Sequence, residues 1–193
     1  MATKHAKTLD DATFAKVLTK VAAGQHGLRD QVMVLLSYKA GLRAQEIAGL
    51  DWTDVCDSEG VVRSDFFLVP SDIAKGSKER TIPMHPHLHI VLTMLRAQRP
   101  KDTGITYGTI GRFKRLSSVS VRVWFHRLYE TMKLDGCSSH SGRRTFITRL
   151  ARSANLHGCS LVDVRLLAGH ASIQTTENYI EPSPNSIRLV AAL

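Results

Sequence analysis

The stretch VVRSDFFLVPSDIAKGSKERTIP, residues 61–83, interrupts a sequence whose other apolar residues are mostly spaced as in helices. Branched and aromatic residues, which favour strands, are concentrated in its first half. The run KGSK at residues 75–78 has the composition of a turn, and residues 80–83 can form the return strand. This stretch therefore predicts a small antiparallel sheet.

The segments on both sides of the sheet predict helices. Thr8 is the expected cap of the first helix, and Gly41 is the expected end of the second. The predicted helices after the first one cover, approximately, residues 28–40, 44–50, 86–98, 118–133, 139–154, 161–168, 172–180 and 186–193. The predicted fold class is thus mainly α with a small antiparallel β-sheet (α+β). No repeat or change in composition marks a second domain, so we expect a basic arm at residues 1–7 and one domain over residues 8–193.

The charge balance favours a polyanionic partner. Lys and Arg number 26 and Asp and Glu number 17, which leaves a net charge of +9. Nucleic acid is the commonest polyanion for a basic domain of this size. The three cysteines are far apart in sequence, which disfavours a disulfide framework and fits the cytoplasm. Neither a signal peptide nor an apolar run long enough to span a bilayer is recognisable, so we expect no membrane association.

His140 and Arg143 are the first residues that suggest phosphate chemistry. Three residues apart on a helix, they would lie on one face, and Ser138 or Ser139 could cap that helix. A helix N-terminus attracts anions such as phosphate. A solvated basic face is the alternative, because further arginines follow. The sequence has no Gly-rich nucleotide loop and no convincing carboxylate metal site, so phosphoryl transfer here would use side chains alone and no cofactor.

A second group lies near the C-terminus. LLAGH at residues 166–170 predicts a helix that ends at Gly169, with His170 in the turn. Tyr179 follows nine residues later, and we expect it on the next helix. Taken singly, His170 and Tyr179 could equally be packing residues.

Four segments, in this order, resemble motifs of the tyrosine recombinase (phage integrase) family. AGLRAQEI (40–47) is similar to its first arginine motif, and KGSKERTIP (75–83) to its lysine hairpin. His140-x-x-Arg143 is similar to its H-x-x-R box, and residues 167–179 to its C-terminal box. The resemblance covers almost the whole chain. It implies the DNA breaking–rejoining fold of a recombinase catalytic domain, in a short form that lacks the N-terminal core-binding domain of many members.

The resemblance implies that Arg43 and Arg143 clamp the scissile phosphate and neutralise the charge that builds in the transition state. It assigns to Lys75 the protonation of the 5′ leaving oxygen, with Lys78 as the alternative lysine. Glu46 is expected to hold nearby basic groups, and a solvated helix acid is the alternative.

The resemblance also assigns acid–base chemistry on the tyrosine proton to His140 and a hydrogen bond to the phosphate to His170. Tyr179 is the implied nucleophile, which forms a covalent 3′-phosphotyrosine. That bond conserves the energy of the broken one, so rejoining needs no ATP. The implied activity is site-specific recombination of a phage or other mobile element: integration, excision or inversion of DNA.

The implied partner is double-stranded DNA, bound by a homo-oligomer that would be a tetramer on two DNA sites, with accessory DNA-bending proteins as further candidates. The C-terminal residues 187–193 could dock on a neighbouring subunit or on the chain's own core. For the basic helix at 118–133, an ordinary amphipathic surface helix is the alternative. Further DNA contacts are expected at Arg80, Arg112, Lys114, Arg115, Arg122 and Arg144.

Three other functions fit parts of the sequence. A type IB topoisomerase would use similar chemistry without strand exchange. A DNA-binding regulator would have lost catalysis altogether. A metal-dependent hydrolase would use His85, His87 and His89 as ligands, although the apolar residues after Pro86 are spaced as in a helix, which argues against it.

Overall fold

The computed structural model of the chain describes residues 6–74, 76, 78–108 and 115–180. It confirms a mainly helical fold with one two-stranded antiparallel sheet. The elements in chain order are α1 (Asp11–Ala22), α2 (Gly27–Lys39), α3 (Ala44–Gly49), α4 (Trp52–Val55), β1 (Phe66–Val69), β2 (Arg80–Pro83), α5 (Pro86–Gln98), α6 (Ser118–Thr131), α7 (Ser141–Ser153), a 3₁₀ turn (Ala154–His157), α8 (Leu161–Ala168) and α9 (Ile173–Glu177).

Helix α2 is the centre of the core. Its apolar residues are buried around the whole circumference, including Val32, Met33, Leu35 and Leu36. A helix that buries residues on most of its circumference has to be enclosed by other elements. Accordingly, α2 contacts α1, α5 and α7.

Two glycines let α7 approach α2 closely. A Cβ atom at Gly142 would overlap with the side chain of Ser37 in α2. A Cβ at Gly41 would overlap with the ring of Phe146, and Gly41 also has a φ of +67°, which side chains disfavour. The turn that leads from α2 into α3 is therefore packed directly against α7.

The sheet forms where the sequence predicts it, although β1 begins only at Phe66. Phe67 pairs with Ile82, and both are buried. Val62 forms only an isolated bridge with Cys56. The hairpin thus places one face of β2 against the core and leaves its N-terminal residue, Arg80, close to the helices.

The ends of several predicted elements were wrong by a few residues. The first helix is capped by Asp10 and not by Thr8, because the Asp10 carboxylate accepts a hydrogen bond from the Thr13 N–H at 2.7 Å. The predicted helix at 186–193 and most of the predicted arm lie outside the described residues. Among the helices that are described, none has the length and hydropathy that a bilayer crossing needs.

Candidate active site

Glu46 is a buried carboxylate that binds two arginines. Its Oε1 accepts hydrogen bonds from Nη1 of Arg43 and Nη1 of Arg80, both at 3.0 Å, and its Oε2 accepts one from Nη2 of Arg80 at 2.8 Å. Oε2 also accepts the backbone N–H of Arg43 at 2.8 Å, which closes the first turn of α3. Burial raises the pKa of Glu46, but the bonds to Arg80 and Arg43 outweigh burial and hold that pKa below its ordinary value.

Arg143 joins the start of α3 to the end of α8. It lies in the first turn of α7 and is 3% exposed. Its Nη1 donates to the carbonyl of Gly41 at 2.6 Å, and its Nη2 donates to the carbonyl of Ala168 at 2.5 Å. These carbonyls belong to the residues two positions before Arg43 and two before His170. Burial and the neighbouring charge of Arg43 lower the pKa of Arg143 to about 10, so the guanidinium stays charged at neutral pH.

His170 follows the end of α8, and its position is set by the helix end before it and by Thr176 after it. Gly169 ends the helix with a φ of +61°, as predicted for the Gly-His turn. The imidazole is 7% exposed, and its Nδ1 lies 3.0 Å from Oγ1 of Thr176. Burial, followed by the charges of Arg143, Arg43 and Arg80, lowers the pKa of His170 to about 4. The ring is therefore neutral at physiological pH. Nε2 can donate to a phosphate in the tautomer whose Nδ1 accepts a hydrogen bond from the Thr176 hydroxyl.

Tyr179 lies against His170. It was predicted to lie on a helix, but it follows the end of one. Helix α9 ends at Glu177, and Asn178 is its C-cap. The ring of Tyr179 stacks on His170 with centroids 5.6 Å apart and an angle of 25° between the planes. The guanidinium of Arg144 lies 5.4 Å from the centroid of the Tyr179 ring, and Thr148 Oγ1 donates to the Tyr179 carbonyl at 3.4 Å.

The structure thus brings four of the six predicted catalytic residues to one place: Arg43, Arg143, His170 and Tyr179. A fifth, His140, is exposed at the N-cap of α7. Helix α7 begins two residues later than predicted, and Ser138 Oγ accepts the N–H of His140 at 3.2 Å. Lys75, the sixth, lies outside the described residues.

A cavity of about 440 Å³ opens beside the site. It lies between the hairpin and α8, and its lining includes Lys78, Arg80, Thr81, Leu166 and His170. Of the four clustered residues, only His170 contributes to this lining; Arg43, Arg143 and Tyr179 do not.

The predicted DNA-contacting residues are found in different surroundings. Arg122 is exposed on α6. Arg115 donates to the carboxylate of Asp51 and, at 2.9 Å, to the carbonyl of Gly49. Arg144 contacts the Tyr179 ring. Arg112 and Lys114 lie outside the described residues.

Arg80 is the residue whose surroundings the sequence least suggested. We predicted a DNA contact, but its side chain is only 7% exposed and bonded to Glu46. The one local signal for this arrangement was Glu46 itself, an acid within the arginine motif that needs cationic partners when buried.

The three histidines of the metal hypothesis have other contacts. His85 Nδ1 accepts the N–H of His87 at 3.1 Å at the start of α5, and His89 Nε2 lies 3.2 Å from the carbonyl of Val62. Within the part of the chain that the structure describes, no group of three or more His, Cys, Asp or Glu side chains could hold a metal ion.

Comparison with known proteins identifies the family. The model of the phage integrase family matches residues 7–186, which is most of the chain. The chain belongs to the phage integrase family. Among curated relatives of this integrase-family chain, tyrosine recombinase XerD of Yersinia pestis is 29% identical over 168 residues, which are 83% of the chain and 52% of XerD. Tyrosine recombinase XerC of Corynebacterium glutamicum is 30% identical over 159 residues, 81% of the chain and 47% of XerC. The chain spans about half the length of these relatives.

Solved structures show the same fold. The integrase of transposon Tn1549, in complex with a circular intermediate DNA, superposes with a TM-score of 0.79 at 19% identity, over 99% of this chain and 67% of that one. XerA recombinase superposes with a TM-score of 0.71 at 21% identity, over 97% of this chain and 65% of that one. The predicted catalytic-domain fold of tyrosine recombinases is therefore confirmed.

Proposed function

We propose that this integrase-family chain is a site-specific DNA recombinase that cleaves and rejoins double-stranded DNA through a covalent 3′-phosphotyrosine at Tyr179. The observation that carries the proposal is the convergence of Arg43, Arg143 and His170 beside the Tyr179 ring, from three regions that are far apart in sequence. We infer that two guanidiniums and a phenol contact the same phosphate in this arrangement.

The charge of the cluster suits a phosphodiester. Three buried or half-buried arginines, Arg43, Arg80 and Arg143, surround one carboxylate, Glu46, and His170 is neutral because its pKa is lowered to about 4. The cluster therefore carries two net positive charges. A phosphodiester has one negative charge and its pentavalent transition state has two, so stabilisation would grow as the reaction proceeds.

The proposed reaction has two reversible halves. The Tyr179 oxygen attacks the phosphorus and loses its proton, the bond to the 5′ oxygen breaks, and that oxygen takes up a proton. We assign the proton on the leaving oxygen to Lys75 and acid–base chemistry on the phenol to His140, as the family resemblance implies. Rejoining reverses both steps with the 5′ hydroxyl of the same or another DNA strand as the nucleophile.

Partners and location follow from the same proposal. Double-stranded DNA is the substrate. A homo-oligomer, a tetramer by family analogy, would hold two DNA sites and so allow strands to be exchanged between them. Accessory DNA-bending proteins would assist where a site requires them. Residues 8–193 would form the catalytic domain behind a basic arm. We place the protein in the cytoplasm, in agreement with three cysteines that form no disulfide.

The decisive experiment traps the covalent intermediate. The chain is incubated with a nicked half-site duplex. The short fragment that carries the new 5′ hydroxyl diffuses away after cleavage, so the adduct accumulates and can be quantified on a denaturing gel. The parent protein is expected to form an adduct whose DNA-linked peptide contains Tyr179. Tyr179→Phe is expected to form none while it binds the same duplex with the parent's affinity.

Tyr107→Phe is the matched control, because it removes one phenol oxygen outside the site and should leave the adduct unchanged. An adduct that maps to another residue, or a Tyr179→Phe protein that still forms it, would contradict the proposal. Supercoil relaxation without exchange between two sites would indicate topoisomerase activity, and DNA binding without any adduct would indicate a regulator.

A further inference from the structure

We propose that Arg80 is a positioning residue of the cleavage site, which acts through Glu46 and the last turn of α8 and not through a direct contact with DNA. This inference rests on the proposed function, since it concerns the same phosphate site. It replaces the DNA contact that the sequence suggested for Arg80.

The first observation is the bond between Arg80 and Glu46. Both terminal nitrogens of the guanidinium donate to the carboxylate, at 3.0 and 2.8 Å, and the two side chains are 7% and 0% exposed. Two parallel hydrogen bonds of this kind orient both planar groups. Because Glu46 also binds the side chain and the backbone N–H of Arg43, the orientation of Arg80 is transmitted to Arg43.

The second observation is the contact of Arg80 with the last turn of α8. Its Nε donates to the carbonyl of Leu167 at 3.1 Å, and Arg143 donates to the next carbonyl, that of Ala168. The two arginines therefore hold successive carbonyls in the last turn of α8, directly before Gly169 and His170. A Cβ on Gly169 would lie 3.0 Å from Nη1 of Arg80, so a side chain there would require the guanidinium to shift by a few tenths of an ångström.

The donors of Arg80 are mostly used inside the protein. A guanidinium has five N–H groups, and three of those in Arg80 point to Glu46 and Leu167. Its side chain is also less exposed than that of Arg43, which is 19% exposed. Arg143 is as buried as Arg80, so burial alone does not separate their roles. The charge of Arg80 is paired directly with Glu46, whereas Arg143 donates to uncharged carbonyls and keeps its charge for a phosphate.

Removal of Arg80 would change the charge as well as the geometry. A carboxylate shared between two arginines neutralises only one of them, and therefore Arg43 keeps net positive charge for a phosphate. Without Arg80, Glu46 would be paired with Arg43 alone, and the pair would be neutral. Strand β2 would also lose its bond to α8, so the hairpin that precedes Arg80 would be less firmly held against the site.

The test separates positioning from DNA contact by two measurements on the same variants. Arg80→Gln and Arg80→Lys are compared with the parent in the initial rate of adduct formation at saturating half-site DNA and in the salt dependence of DNA affinity. We expect the rate to fall about 10- to 100-fold, as for other residues that orient a reacting group. The slope of log affinity against log salt is expected to stay at the parent's value.

Arg29→Gln is the matched control. The side chain of Arg29 is as buried as that of Arg80, at 7%, and it is paired with the carboxylate of Asp30, but it lies outside the Glu46 network, so the rate at saturating DNA should equal the parent's. A direct phosphate contact of Arg80 would instead lower the salt slope by about 0.9 and leave the saturated rate unchanged. That result, or an Arg80→Gln protein with the parent's rate, would overturn the inference.

A double-mutant cycle distinguishes the role of Arg80 in the site from a general loss of stability. Arg80→Lys retains the charge, and rates are measured below the melting temperature of every variant. If Arg80 acts through Glu46, then Arg80→Lys should cost less in the Glu46→Gln background than in the parent, whereas equal costs would overturn the inference. If the parent itself forms no Tyr179 adduct, the proposed function fails; if the parent reacts and Arg80 variants match it, only the inference fails.

Discussion

The arginines of the buried site and those of helix α6 have opposite surroundings. In the buried site, Arg80 and Arg143 donate to a carboxylate and to main-chain carbonyls, and their side chains are almost inaccessible to solvent. On α6, Arg122 and Arg127 are exposed, beside exposed hydroxyl residues such as Ser120. Residues of one type thus have two kinds of environment within one small protein.

This difference predicts that the buried arginines contribute to the rate of cleavage and the exposed arginines contribute to DNA affinity. Donors that are oriented before the substrate arrives do not have to reorganise as charge develops, so they should act on the rate of the chemical step. Exposed arginines on a long flexible stem contribute to affinity mainly by releasing counterions from DNA, and this contribution weakens as salt increases. Variants in the two regions should therefore alter different measurements.

Among the substitutions that compare the two groups of arginines, Arg143→Lys should give the largest effect. Lysine keeps the positive charge but cannot donate to Gly41 and Ala168 in the directions that the guanidinium uses. We expect the rate of adduct formation at saturating DNA to fall about 10²- to 10³-fold, the usual cost of one transition-state donor. The nicked half-site assay measures this rate.

Arg149→Lys, in the same helix, is the control for Arg143→Lys. Arg149 forms an ion pair with Asp11 at 2.6 Å and is 40% exposed, so its replacement should leave the rate at the parent's value. If both lysine variants cleave equally well, the distinction between buried and exposed arginines does not hold.

Neutralisation of α6 should have a smaller effect, confined to binding. Arg122→Gln is expected to weaken DNA affinity and to lower the salt slope by about 0.9 if it removes one phosphate contact. The rate at saturating DNA should be unchanged. Titration of a labelled half-site duplex at several salt concentrations gives the slope, with Lys20→Gln in α1 as a charge-matched comparison. A loss of rate at saturation would place Arg122 with the buried site instead.

The smallest effect concerns pH and stability at His170. The pKa of His170 is about 4 in the folded protein and its ordinary value is 6.5, so the unfolded chain binds more protons between these values. The free energy of unfolding should therefore decrease as pH falls through this window. In His170→Gln, which cannot titrate, this decrease should be smaller, as measured by urea unfolding at pH 7 and pH 5.

The exposed His157 is the control for this measurement. His157→Gln removes an exposed imidazole outside the site, and we expect it to lose as much stability on acidification as the parent does. Identical pH dependence in the parent and in His170→Gln would show that His170 is not held neutral by its surroundings.

Local signals predicted those parts of the fold that are decided locally. Helices α5 (Pro86–Gln98) and α8 (Leu161–Ala168) were predicted with their observed ends, because Pro86 starts one and Gly169 ends the other. The predicted start of α1 was wrong because Asp10 competes with Thr8 as the N-cap. The predicted end of α9 was also wrong, because the chain leaves the helix two residues before Tyr179.

By itself, the sequence determined the fold class, the family and the identity of the candidate catalytic residues, since these depend on periodicity, turn chemistry and motif spelling. Only the tertiary structure decided which side chains meet. Glu46 and Arg80 are 34 residues apart, and Arg143 and Gly41 are 102 apart. The physical reason is that helical periodicity shows which face of an element is buried but not against which partner, so the bonds that orient a buried guanidinium depend on how α3, β2, α7 and α8 pack together.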